Sequence, residues 1–175
     1  IRQARFLDNM ATSVGGAICT WGANLVATES QFDGNVVCSL TTPGDRYGGA
    51  IADQESFNAG GVTSSVLTNC LFRNNQTITN NGYALGGAVY YRSGGSLALT
   101  NCVFWANSSL GNTMDGTALY TTAVKTYMTN CTVVGNVAVG GADSSAVYWG
   151  VCGLFCGSHM LDGLLKAENS IIALN

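Results

Sequence analysis

Short apolar and polar runs alternate along this chain, and two of the runs recur at intervals. The first is an apolar pair, a Thr-Asn-like bend, a small residue, a large apolar residue two positions later and an Asn three further on. It reads Leu67-Thr68-Asn69-Cys70-Leu71-Phe72 with Asn75. It returns as Leu99-Thr100-Asn101-Cys102-Val103-Phe104 with Asn107, and as Met128-Thr129-Asn130-Cys131-Thr132-Val133 with Asn136. Weaker copies are Ala27 to Phe32 with Asn35, Ala167 to Ile172 with Asn175, and Ala4, Phe6 and Asn9 at the start. The second run lies between these copies: Gly15-Gly16-Ala17-Ile18, Gly48-Gly49-Ala50-Ile51, Gly86-Gly87-Ala88-Val89, Gly116-Thr117-Ala118-Leu119 and Ser144-Ser145-Ala146-Val147. The two alternate strictly from one end to the other, which is the signature of a repeat architecture.

The repeats predict stacked coils. One repeat is too short to bury its own apolar side, so neighbours share a core. Strands stacked ~4.8 Å apart align equivalent residues into columns. Phe6, Phe32, Phe72, Phe104, Val133 and Ile172 form one inward column, and Ala17, Ala50, Ala88, Ala118 and Ala146 another. Ile18, Ile51, Val89, Leu119 and Val147 form a third. Cys70, Cys102 and Cys131 lie two residues before the large apolar position and so share its inward face. Asn35, Asn75, Asn107 and Asn136 are predicted to satisfy backbone groups at a corner. Successive large apolar positions are separated by 26, 40, 32, 29 and 39 residues. The extra length falls in Gly-, Ser-, Thr- and Asn-rich stretches (Ser39 to Tyr47, Asp53 to Thr63, Trp149 to Gly163), read as loops inserted at a constant point of the coil. A leucine-rich horseshoe also accommodates Leu97-x-Leu99-x-x-Cys102, but most of these spacings exceed its ~20–29 residues, and Gly-Gly-Ala has no place in it. The expectation is an all-β, right-handed parallel β-helix of about five to six coils, with 1-175 forming a single β-helix segment of a longer chain.

Composition agrees. Charged residues make up 10% and hydrophobic ones 47%, with 23 Gly and a single Pro, which leaves little for water-facing helices. Net charge is −3 and the seven basic residues are scattered, so no nucleic-acid partner is expected. No apolar run approaches the ~20 residues of a membrane-spanning helix.

Alternation of Gly-Gly-Ala-Ile with Phe-x-x-Asn, here Phe6–Asn9, Phe32–Asn35, Phe72–Asn75 and Phe104–Asn107, resembles the repeats of polymorphic outer-membrane proteins and autotransporter passengers. The resemblance covers the whole chain. It implies an exported protein, extracellular or at the cell surface of a bacterium (the outer membrane), with adhesion as the usual role.

Candidate chemistry is sparse. The column of Cys70, Cys102 and Cys131 is explained by small buried thiols, and no metal or other cofactor is expected. Cys152 and Cys156 flank a three-residue loop and are a candidate disulfide; Cys19 and Cys38 are a weaker one. Asp53 and Glu55 form the closest acidic pair and read as the solvated start of a loop. His159 lies in a Gly-Ser loop and is not expected to be catalytic. A non-enzymatic protein is therefore expected, an adhesive passenger or structural stalk. The alternatives are a polysaccharide lyase or hydrolase with its site outside this segment, and a subunit of an extracellular filament or sheath. Tyr90, Tyr120 and Tyr148 occupy one outward position in three coils, with Tyr91 and Trp149 beside them. This predicts an exposed aromatic ladder for a carbohydrate or a host or cell-surface protein. End-to-end self-association is a further expectation.

Overall fold

The structure is a computed structural model and describes residues 1–54, 63–92, 95–122, 125–139, 154–156 and 164–173. Every strand pairing is parallel, and each strand pairs with its counterparts in the coils before and after. The chain is a parallel β-helix. Among the described residues there is no helix.

One full coil shows how the segments follow each other. Leu71–Arg73 belongs to the phenylalanine sheet, with Arg5–Leu7, Gln31–Asp33, Val103–Trp105, Thr132–Val134 and Ile171–Ala173. After the asparagine corner, Gln76–Thr79 enters a second sheet and Tyr83–Leu85 a short sheet with Arg46–Tyr47 and Thr113–Asp115. After the glycine corner, Val89–Arg92 joins the tyrosine sheet with Ile18–Thr20, Ile51–Gln54, Leu119–Thr121 and Leu154–Cys156. Ser96–Thr100 then joins a long sheet with Val26–Thr28, Ser64–Thr68, Lys125–Thr129 and Leu164–Glu168. A bend at Asn101, whose φ is 53°, returns the chain to the phenylalanine sheet; Asn69 and Asn130 hold the same left-handed conformation in adjacent coils. Asn tolerates that region better than most residues, which is why the bend is Thr-Asn.

The columns fall where the pattern places them. Phe6, Phe32, Phe72 and Phe104 stack face to face with centroids 4.9, 4.8 and 4.8 Å apart, and Val133 and Ile172 continue the register. Ala50, Ala88 and Ala118 are fully buried, with Ala17 packed against them. Cys70, Cys102 and Cys131 are buried free thiols, each donating S–H to main-chain carbonyls. Cys131 and Cys70 on either side, and then burial, push the Cys102 thiol well above the ordinary range.

At the asparagine corner each amide does three jobs. The Asn75 Oδ1 accepts from the main-chain and side-chain nitrogens of Asn35 at 3.0 and 2.9 Å. Its Nδ2 donates to the Phe32 carbonyl at 3.0 Å and to Asn107 Oδ1 at 2.9 Å. Asn107 and Asn136 repeat the pattern one coil on. All four buried asparagines are thereby satisfied, the condition for burying amides without penalty.

The glycine corner explains the second motif. Gly86 has φ 65°, and a Cβ on Gly87 would collide with the Thr117 carbonyl oxygen of the next coil. Thr117 already breaks the pair, and the fifth coil carries Ser144-Ser145 instead. There the strand that joins the tyrosine sheet is Leu154–Cys156, which sets Leu154 beside Leu119 and Phe155 beside Tyr120. This corrects the expected columns: Phe155 takes the place assigned to Tyr148, and Cys156 lies in a strand rather than a loop. Ala146, Val147, Tyr148, Trp149, Cys152, His159 and Asn175 lie outside the described residues.

Insertions also enter at two points, not one. The connection after Ser39 leads into the short sheet, whereas that after Gln54 joins the tyrosine sheet to the long sheet.

Candidate functional site

Strand alternation divides the tyrosine sheet into two faces. Val89 and Tyr91 point inward, and Tyr90 and Arg92 point outward. Tyr91 is therefore not part of an outer ladder. It is buried in the main core, its hydroxyl bonded to the Thr63 and Ser96 carbonyls at 3.2 and 3.1 Å. Asp53 shares that inward register and is 1% exposed, so it is not the solvated start of a loop; Glu55 lies outside the described residues. Cys19 and Cys38 are free thiols on different sheets and form no bridge.

Tyr90 does point outward, but it is only 3% exposed. The short sheet covers it. Leu85 and Tyr47 pack on Tyr90 together with Val14, Ala52 and Tyr120 in a second apolar cluster outside the coil. The Tyr47 and Tyr90 rings are 4.5 Å apart, and Tyr90 and Tyr120 stack at 5.2 Å with planes 11° apart. Such pairs contribute ~0.5–1.5 kcal/mol beyond burial. The expected exposed ladder is thus a covered column in which Tyr120 is half-buried.

Beside this column lies a cleft of about 310 Å³. The short sheet supplies Asp45, Tyr47, Tyr83 and Leu85. From the tyrosine sheet come Tyr90 and Arg92, and one coil on, Tyr120 and Thr122. Asp45 is fixed at both oxygens, accepting from the Tyr47 hydroxyl and the Tyr83 main-chain N–H, each at 2.9 Å. An ionised carboxylate offers about four lone-pair positions, so two are left facing other donors. Burial, and then the Asp45 carboxylate, push the Tyr47 phenol far above its usual value, keeping it a protonated donor. Burial likewise raises Tyr90, against the opposing pull of the Arg92 cation. Tyr83 is 50% exposed.

Thr122 is the odd member. It is 7% exposed, and its Oγ1 has no hydrogen-bond partner among the described residues. Leaving a buried hydroxyl unpaired costs ~1–3 kcal/mol.

A larger, shallower groove of about 660 Å³ follows the Thr-Asn corner between Gln3 and Asn101. Its amides are paired along the corner, Gln3 with Glu29 at 2.7 Å and Asn101 with Asn69 at 2.9 Å. Unmatched polar chemistry sits in the smaller cleft. Sequence reading found Tyr90 and Tyr120 but missed Asp45, Tyr47, Tyr83, Arg92 and Thr122. The signal available was the second outward column, two residues beyond the tyrosines, where Gln54, Arg92 and Thr122 follow one another.

Among the described residues no group of three His, Cys, Asp or Glu side chains is placed to hold a metal ion, and no helix is long and apolar enough to cross a membrane. No family model, curated protein or solved structure matches the chain.

Proposed function

We propose that the chain is the rod of an exported protein, displayed outside the cell as an adhesive passenger or stalk, and that it acts by binding rather than by catalysis. The supporting observation is the tyrosine cleft on the flank of the solenoid, where four tyrosines, a carboxylate and a guanidinium converge. Aromatic walls with a few placed polar groups are the make-up of recognition sites. The columns beneath it hold the cleft in place: Tyr90 and Tyr120 are set by strand register, and their two strands are anchored by Val89 and Leu119 in the core. The scarcity of charge and the wealth of Thr, Ser and Asn fit the surface repeats that the motifs resemble.

Labelling of intact cells tests the proposal. An antibody against the rod is expected to stain unpermeabilised cells, and externally added protease to remove the epitope. Protein that is stained only after permeabilisation, and that fractionates with the cytoplasm, contradicts it.

A further inference from the structure

We infer that the tyrosine cleft accommodates one neutral hexopyranose ring of a glycan. This rests on the binding reading above and names the ligand. Tyr83 leaves half its surface in solvent, and an aromatic ring with a polar tip complements the C–H face of a pyranose. Asp45 and Arg92 bring opposite charges to the same cleft. A carboxylate only accepts hydrogen bonds and a guanidinium only donates them. Together they match an uncharged ligand whose hydroxyls do both, whereas a uronic acid would set a second carboxylate beside Asp45. The cleft volume, about 310 Å³, lies at the small end of ligand sites and suits one ring.

Calorimetric titration of the full protein with the methyl glycosides of glucose, galactose and mannose, and with the methyl glycoside of galacturonic acid, its carboxylate free, is the test. At least one neutral glycoside is expected to bind. Tyr83→Ala, which removes an exposed ring, is expected to weaken it about tenfold. Arg92→Gln removes the guanidinium at the exposed rim of the cleft, and is expected to weaken binding about fivefold or more. Its thermal midpoint should stay close to the parent's, because Arg92 is exposed. Affinity and stability moving apart separates a ligand contact from a folding defect. The inference is overturned if no neutral glycoside binds, if galacturonate alone binds, or if both variants bind as the parent does. Surface labelling that succeeds while every glycoside fails removes the sugar and leaves the surface role. Sugar binding by a cytoplasmic protein does the reverse.

Discussion

Asp33 and Arg73 show how single residues on the outer wall tie one coil to the next. The Arg73 guanidinium grips Asp33 at 2.6 and 2.7 Å across the phenylalanine sheet, with the Asn74 amide at 3.2 Å on the other oxygen. These contacts, Arg73's hydrogen bond foremost, hold the Asp33 carboxyl below its ordinary value. A group whose folded pKa is depressed stabilises the fold fully above its unfolded value, about 3.9. That contribution fades as the pH falls through the lower folded value. Carboxyl NMR titration is expected to place the Asp33 midpoint below the ordinary Asp value and to return it upward in Arg73→Gln. Identical midpoints in the two proteins would show that the pair does not form in solution. The column that aligns Phe32 with Phe72 also sets Asp33 beside Arg73, 40 residues apart, but in this sheet the columns were read only at inward positions. Tyr91 was misread for a simpler reason: alternation places the residue after an outward tyrosine back inside, and the ladder argument stopped one residue short.

Among elements, corners rather than strands decide the order of the coil. The asparagine column was legible because its position three residues past each Phe never varies, and an amide is the side chain that both donates to and accepts from the coils above and below. Asn107→Ala would orphan the Asn75 main-chain N–H and one Asn75 amide hydrogen, both fully buried, and would remove a bond to the Phe72 carbonyl. A loss on the order of 3 kcal/mol or more is expected in urea unfolding. Asn9→Ala, at the exposed start of the column, is expected to cost less than ~1 kcal/mol. Equal losses at the two positions would contradict the ladder as a source of stability. The cover over Tyr90 was not legible. It arises from pairing of Arg46–Tyr47 with Ala84–Leu85, and nothing in those two segments repeats. Ala146 and Val147 match the motif in sequence, yet Phe155 rather than Tyr148 pairs with Tyr120.

For the molecule as a whole, a one-dimensional stack passes register from coil to coil and so positions side chains remote in sequence. Asp45 and Thr122 belong to different coils, yet both line one cleft. Rigidity of the stack is what makes a small, partly unsatisfied cleft a credible binding site, since its walls are set before a ligand arrives. The most direct measurement is an experimental structure of the protein soaked with the neutral glycoside that binds. The expected result is one sugar ring over the Tyr83 face, with its hydroxyls ~2.7–3.2 Å from the Arg92 guanidinium and an Asp45 carboxylate oxygen. A sugar bound elsewhere, or a cleft closed to the sugar, would contradict it.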